Sequence, residues 1–124
     1  KGAAEATIRD NEATFTATYC SNLHRQAALY IVAGDMNEDA DDPTWLSHVH
    51  RILTNYSSGL QRLEPRDDTG DPATYPFYSS RLDYIYVCNG FSEHIQTSRD
   101  HARSQTQSIV LRPLPSGTQI HQHK

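Results

Sequence analysis

Residues 27–37 read AALYIVAGDMN, an apolar run of strand length followed by a short polar end. The run is rich in Ile, Val and Tyr and is stopped by Gly34, which predicts a buried central strand. Asp35 follows at the carboxyl end of this strand, and Asn37 comes two residues later. In an extended turn these side chains point to the same side, so a carboxylate and an amide are expected to converge on one small volume.

An acid and an amide in one volume fit the chemistry of phosphoryl transfer. That reaction needs a base that orients the attacking water and neutral donors that stabilise the charge developing on the phosphate oxygens. Asp35 and Asn37 supply both kinds of group. Because Asp and Asn are also ordinary turn residues after a strand, the motif gains weight only from its context.

Two patterns in the first half of the chain predict further elements. Residues 6–20, ATIRDNEATFTATYC, alternate small or apolar with polar residues on both sides of Asp10 and Asn11, which predicts a β-hairpin. Residues 39–56 begin with acidic residues and Pro43 and continue with apolar residues at spacings of three and four, which predicts an amphipathic helix. The apolar residues of this helix are Trp45, Leu46, Val49, Ile52 and Leu53.

The second half contains a long loop and two more strands. Gly, Pro and Asp are frequent from residue 57 to 80, as in loops that carry function. Residues 81–90, RLDYIYVCNG, predict a strand, and residues 107–115, QSIVLRPLP, predict a short strand ended by prolines. Residues 116–124 are expected to form a flexible tail. The predicted fold class is therefore α/β (α+β), a β-sheet with a flanking helix in one domain over residues 1–115.

The charge of the chain limits how it can recognise phosphate. Its 124 residues carry a formal net charge of -4, so no broad cationic field for nonspecific nucleic-acid binding is expected. Acidic residues in a phosphate site would repel the substrate unless a divalent cation stood between them. Acidity combined with phosphate chemistry therefore points to a metal ion.

Two broader features also follow from composition. No apolar run approaches the roughly 18 residues that a membrane span requires, so no membrane span is expected. Cys20 and Cys88 lack CxxC spacing, and they could pair, stay free or be buried as small apolar side chains.

Three short motifs occur in one order along the chain, each at the end of or within a predicted strand. They are Gly34, Asp35 and Asn37 in GDMN, residues 81–84 in RLDY, and Ser98, Asp100 and His101 in SRDH. With these motifs the chain resembles the endonuclease/exonuclease/phosphatase superfamily, which includes DNase I-like nucleases, abasic-site endonucleases, neutral sphingomyelinases and inositol polyphosphate phosphatases. The resemblance covers the carboxyl-terminal half of the family pattern and implies one half of a DNase I-like four-layer αββα sandwich.

The resemblance also implies a hydrolase that uses Mg²⁺ or Mn²⁺ to attack a phosphate ester with activated water. Asp35 would orient the water and bind the metal together with Asp100, and Asn37 would hold the water or a phosphate oxygen. His101 would contact the scissile phosphate, and Asp83 would hydrogen-bond its ring. Such a carboxylate partner fixes the tautomer of a histidine and stabilises its charged form. The substrate would be a nucleic acid, a phospholipid head group or an inositol phosphate.

Three further residues are candidates for the same site. His24 ends the second strand of the predicted hairpin and would act on the leaving group. Tyr75, in the segment DPATYP, would line the substrate cleft or else pack on the core. Arg99 would reach phosphate as a bidentate donor or else lie at the surface. His48 and His50, on the predicted helix, are expected to be solvated.

The chain departs from the family pattern in its first part. The family's earlier Asn strand and metal-binding Glu have no counterpart here, so we expect either a shortened enzyme or a fragment whose amino-terminal half is elsewhere. Asp83 could also form a structural pair with Arg81 or a backbone amide. Three functions therefore stay open: the phosphoesterase, a catalytically degenerate domain that serves as a binding module, and a histidine-rich metal-binding protein.

Overall fold

The computed structural model describes residues 2–56, 59–75, 80–92, 94–101 and 106–112. In chain order, the elements within these ranges are α1 (Ala3–Arg25), β1 (Ile31–Asp35), α2 (Val49–Tyr56), β2 (Leu60–Arg62), β3 (Asp83–Cys88), α3 (Asn89–Ser92), β4 (Ile95–His101) and β5 (Thr106–Leu111). The strands form two small antiparallel sheets, ordered β1-β3-β2 and β4-β5. The predicted mixture of helices and β-sheet is confirmed at this level.

β3 is the central strand of the first sheet and lies at the centre of the core. It pairs with β1 on one side, from Val87 opposite Ile31 to Asp83 opposite Asp35, and with β2 on the other. Every residue from Tyr84 to Cys88 is buried, so both faces of the strand are covered. The strand predicted at RLDYIYVCNG is confirmed. The fully buried side chains around and along it include Leu53, Tyr84, Tyr86, Val87 and Phe91.

β1 is the strand predicted from AALYIVAG, but its predicted central position is wrong. In the described part of the chain it pairs with β3 alone and forms an edge of the sheet. Its first residues, Ile31 and Val32, are half-buried, whereas its last three are exposed. An apolar run reveals its strand length but not the number of its neighbours. The exposed end of β1 carries Asp35 out of the core.

Residues 6–20 belong to helix α1, so the predicted hairpin is wrong. Helical spacing is present, but it is carried by small buried residues, which are Ala6, Ala13, Ala17 and Cys20. These small side chains let α1 pack closely on α2. The threonines favoured a strand prediction because β-branched residues are common in strands. In the helix, four of them each donate the hydroxyl to the carbonyl four residues earlier. This bond is formed by Thr7, Thr14, Thr16 and Thr18.

The helix predicted over residues 39–56 is confirmed only in its second half, because α2 begins at Val49. The acidic residues before it form local turns instead of a cap: Asp42 accepts hydrogen bonds from the N–H and the hydroxyl of Thr44, at 2.9 and 2.7 Å. Capping comes from distant residues, one of which is Asp10 on α1, which accepts the N–H of His48 at 2.6 Å. A cap supplied by another element leaves no local pattern in the sequence.

The second sheet is a pair of antiparallel strands. β5 confirms the strand predicted from residues 107–115, and the SRDH motif, which was expected at a predicted strand, lies in β4. The expected tail, residues 116–124, lies outside the described residues. Within the described ranges, the helices are all too short or too polar to cross a membrane.

Both cysteines are free and buried, so they do not pair, and burial as small apolar side chains is the alternative that the structure supports. Burial raises the pKa of Cys20 to about 11, and the neighbouring Cys88 contributes to the rise. A buried thiol with a raised pKa is a poor nucleophile, so Cys20 acts as a small apolar residue of the core.

Candidate functional site

Two carboxylates meet at one end of the first sheet. The antiparallel register places Asp35, the last residue of β1, directly opposite Asp83, the first residue of β3. Directly paired residues of antiparallel strands have Cβ atoms about 4.5–5.5 Å apart. Asp83 is half-buried, and burial raises the pKa of its carboxyl group; a hydrogen bond from Thr74 opposes this rise, and the negative charge of Asp35 adds to it. Two of the predicted site residues are thus electrostatically coupled neighbours.

The turn after β1 fixes the acid-amide motif. The N–H of Met36 donates to the carbonyl of Leu82 at 2.7 Å, which extends the pairing of β1 with β3 by one hydrogen bond. The N–H of Asn37 donates to Oδ1 of Asp35 at 2.8 Å, so the carboxylate caps its own turn. Asn37 has a φ of 51°, a left-handed conformation that Asn tolerates better than most residues. Asn37 is exposed.

Glu38, directly after this motif, is a buried anchor for the loop that leads to α2. It is only 5% exposed, and its carboxylate accepts the Ser47 hydroxyl and, at 3.4 Å, the N–H of Val49. A carboxylate at the first turn of a helix satisfies N–H groups that have no partner inside the helix. Glu38 therefore ties the residues following Asn37 to the start of α2.

His50 completes this anchor from α2 and is buried, so its predicted solvation is wrong. Its Nε2 lies 2.9 Å from the backbone carbonyl of Glu38, and its Nδ1 contacts the hydroxyl of Tyr86. A carbonyl only accepts, so Nε2 carries the proton and Nδ1 accepts from Tyr86. Burial lowers the pKa of His50, although the Glu38 carbonyl and carboxylate oppose this change. The neutral imidazole is the form that fits this site.

Arg81 is buried but does not neutralise Asp83. Its guanidinium forms ion pairs with Glu64 and, at 3.3 Å, with Asp41, and it lies over the ring of Tyr84 at 5.4 Å from the centroid. The alternative in which Asp83 pairs with Arg81 is therefore not observed. Among these contacts, no guanidinium pairs with Asp83.

Asp100 and His101 lie on β4, in the second sheet. Asp100 is 2% exposed, and its Oδ1 accepts a hydrogen bond from Gln107 at 2.8 Å. Burial raises the pKa of Asp100, with Gln107 opposing the rise. His101 is exposed, and its Nε2 lies 2.8 Å from the hydroxyl of Ser108 on β5. The backbone N–H of Asp83 donates to the Thr74 hydroxyl at 3.1 Å, and the hydrogen bonds of the described residues include none between Asp83 and the ring of His101.

The three further candidates lie at different places. His24 is exposed in the last turn of α1, before the beginning of β1, whereas Asp35 lies at the other end of that strand. Arg99 is 54% exposed and forms an ion pair with Asp68, as its surface alternative expected. Tyr75 is half-buried next to Thr74, and its N–H donates to the carbonyl of Ser80 at 2.8 Å. Of these three, only Tyr75 belongs to the loop that reaches Asp83.

Sequence reasoning missed two of the residues that hold the site. Glu38 directly follows the GDMN motif, and this position next to the motif is the sequence signal that could have identified it. Thr74, which contacts the start of β3, occurs in the quoted segment DPATYP but was not singled out. Hydrogen bonds between distant residues decide both roles, and spacing along the chain does not reveal them.

The carboxylate pair is compatible with a hard divalent cation. Among the described residues, no group of three or more His, Cys, Asp or Glu side chains gathers closely enough to hold a metal ion. Mg²⁺ is commonly bound through one or two carboxylates, with waters and substrate phosphates as its other ligands. Asp35 and Asp83 fit that kind of site, since a cation between them would relieve their repulsion. Asn37 adds an amide oxygen at the same edge of the sheet.

Comparison with known proteins identifies no relative of this chain. No protein-family model, no curated protein and no solved structure matches it. The resemblance to the endonuclease/exonuclease/phosphatase superfamily therefore depends on the quoted motifs alone.

The buried imidazole leads to a prediction about stability and pH. Because the pKa of His50 is lowered in the folded state, its stabilising contribution is complete above its unfolded value of about 6.5 and is lost as the pH falls towards the folded value. We expect the free energy of unfolding, measured by urea denaturation, to fall below about pH 6.5 less steeply in His50→Gln than in the wild type. The exposed neighbour provides the control: His48→Gln should keep the wild-type dependence, and equal slopes for wild type and His50→Gln would contradict the assignment.

Proposed function

We propose that this chain carries part of the site of a metal-dependent phosphoesterase, in which water activated at the β1–β3 end attacks a phosphodiester or phosphomonoester. The proposal rests on one observation, the pairing of Asp35 with Asp83 at an exposed sheet end beside Asn37. It includes the finer fold assignment, in which α1, α2 and the first sheet form part of one half of a DNase I-like sandwich. Nucleic acids, phospholipid head groups and inositol phosphates share the ester chemistry that such a site would recognise.

The residues of the pair have complementary roles in this proposal. Asp35 and Asp83 would hold Mg²⁺ or Mn²⁺, which supplies a positive charge for the developing phosphate oxygens. Asp35 is exposed, and its Oδ1 accepts the N–H of Asn37. Its carboxylate could therefore also accept a hydrogen bond from water and orient that water. Asn37 offers a neutral amide donor to a phosphate oxygen without adding charge. The acidity of the pair explains why a phosphate would approach only together with a cation.

We confine the proposed site to the ends of β1 and β3. Asp100 is engaged with Gln107, and His101 contacts Ser108, both within the second sheet. The expected metal-binding role of Asp100 and the expected phosphate contact of His101 therefore have no supporting contact among the described residues. The same holds for His24, which precedes the opposite end of β1.

A second function, a binding module that kept the fold and lost catalysis, is favoured by a specific observation. The described residues contain two adjacent carboxylates but no third metal-ligating side chain beside them. Such a module would bind a divalent cation or a phosphate ester without turnover. Binding with undetectable hydrolysis would therefore support this function against the enzyme.

Neutralising either carboxylate tests the proposed activity. We expect the chain to hydrolyse bis(4-nitrophenyl) phosphate with Mg²⁺ and to stop in EDTA, and Asp35→Asn or Asp83→Asn to lower turnover by at least about 100-fold, the loss typical of a missing general base or ligand. Glu12→Gln, which neutralises an exposed acid on α1, should leave turnover unchanged. Mg²⁺-dependent turnover that survives in both Asp variants would refute the assignment.

His101→Ala tests whether the site extends to the second sheet. Its ring is exposed and bonded to Ser108, so we expect the variant to change turnover of the same substrate by no more than about twofold, as for an ordinary surface position. A loss of about 100-fold would instead bring β4 into the site and restore the role that the SRDH resemblance implies.

A further inference from the structure

Asp100 is a buried carboxyl group that lies outside the proposed active site. It is 2% exposed and sits on β4 directly opposite Gln107 on β5. Nε2 of Gln107 donates to its Oδ1 at 2.8 Å, and its backbone N–H donates to the carbonyl of Arg66 at 3.1 Å. Asp100 therefore connects the two strands of the second sheet to each other and to the loop of residues 66–71.

One oxygen atom on each of these two side chains is left without a hydrogen bond. Among the described residues, neither Oδ2 of Asp100 nor Oε1 of Gln107 has a hydrogen-bond partner, although both atoms are buried. Most buried polar atoms in proteins are hydrogen-bonded, so two unpartnered oxygens on one contacting pair call for a common cause. An ionised carboxylate and an amide oxygen both only accept, so neither can satisfy the other. One hydrogen on Oδ2 would satisfy both atoms.

The charged groups around Asp100 favour its neutral form. Asp67 and Asp71, in the loop that it contacts, both disfavour a further negative charge. Arg81 attracts such a charge, but its guanidinium already forms ion pairs with two other carboxylates. Burial is the main cause that raises the pKa of Asp100, and both loop acids add to the rise, whereas Gln107 and Arg81 oppose it. A buried charge without an ion pair is costly, so a protonated carboxyl group fits this position.

We propose that Asp100 carries a proton and forms a cyclic pair with Gln107, and that this pair is a pH-sensitive latch between the second sheet and the loop of residues 66–71. In the latch, Nε2 of Gln107 donates to Oδ1, and the carboxyl hydrogen on Oδ2 donates to Oε1. When the carboxyl group releases its proton to solvent, the second hydrogen bond is lost and a negative charge is left buried beside two acids. The sheet therefore loosens from the loop as the pH rises. This inference does not depend on the proposed phosphoesterase.

The folded protein holds this proton more tightly than the unfolded chain, in which an aspartate has a pKa of about 3.9. The stabilising contribution of the latch is therefore complete below about pH 3.9 and is lost as the pH rises through the higher pKa of Asp100 in the folded protein. Between these two values, each pH unit lowers the equilibrium constant for folding by up to about tenfold, compared with a chain in which residue 100 does not titrate.

Asp100→Asn tests the latch, because an amide at this position can donate and accept as the protonated acid does but does not titrate. Urea denaturation is measured for the wild type and the variant from about pH 4 to about pH 7. We expect similar midpoints at the acidic end, and a midpoint for Asp100→Asn that exceeds the wild-type value increasingly as the pH rises. His50 is present in both proteins, so its titration cancels in the difference.

Asp68→Asn is the matched control, since it neutralises an acid in the same loop. Asp68 pairs with Arg99 of β4 but is 77% exposed, and exposed ion pairs contribute little to stability. This variant should not raise the midpoint of urea denaturation above the wild-type value at any pH. A rise equal to that of Asp100→Asn would show that any lost acid in the loop region has the same effect, and would overturn the latch.

Two NMR measurements test the latch in the folded protein. The carboxyl carbon of Asp100, identified by its absence from Asp100→Asn, should titrate with a midpoint above the ordinary aspartate value of about 3.9. The amide of residue 100 bonds to the carbonyl of Arg66, so its protection factor in hydrogen exchange at about pH 7 should be higher in Asp100→Asn than in the wild type. The first measurement needs only wild-type protein and decides the question even if the variant does not fold.

Three results would overturn the inference. The first is a carboxyl carbon of Asp100 that titrates at or below the ordinary value. The second is an Asp100→Asn protein that is less stable than the wild type at about pH 7, as expected if Asp100 is ionised and attracted by Arg81. The third is a midpoint that Mg²⁺ raises in the wild type but not in Asp100→Asn, because the free oxygen would then hold a cation instead of a proton.

Discussion

The register between β1 and β3 is the constraint on which the rest of the structure depends. It places Asp35 opposite Asp83 and, at the other end, Ile31 opposite Val87. A slip of one residue would turn every side chain of a strand to the opposite face, so the buried residues of β3 hold the register firmly. The apolar core thereby keeps two like charges together at the edge of the sheet, although their repulsion opposes that arrangement. The proposed cation would relieve this repulsion.

Two buried polar anchors support this edge from opposite directions. Glu38 and His50 fix the chain that leaves β1, and Thr74 fixes the chain that enters β3. Each anchor satisfies backbone groups that would otherwise be buried without a partner, so each is also part of the fold's stability. Catalytic or ligand-binding groups gain precision when their supporting residues are locked in this way. Stability and the geometry of the candidate site are therefore carried by the same hydrogen bonds.

β1, β3 and β5 could be predicted from the sequence, as could the GDMN and RLDY motifs at the ends of β1 and β3, whereas β2 falls within the segment predicted to be a loop. β1 and β3 were predictable because apolar runs of strand length end at Gly34 and at Asn89-Gly90. α1 was misread because alanine and threonine carry its periodicity, and the start of α2 was misread because Asp10 and Glu38 cap it from other elements. The expected hydrogen bond between Asp83 and His101 is a contact between two different sheets. The described contact of the His101 ring with Ser108 lies within the second sheet, and spacing along the chain does not reveal it.

The central claim, a single cation site between Asp35 and Asp83, can be tested most directly by adding Mn²⁺ in small steps to the isotope-labelled protein and recording amide resonances by NMR. A bound paramagnetic ion broadens nearby amides selectively. The account predicts that the amides of residues 35–37 and 82–83 broaden first, while those of Asp100 and His101 persist. Broadening that begins on β4, or that spreads evenly over exposed acidic residues, would contradict it.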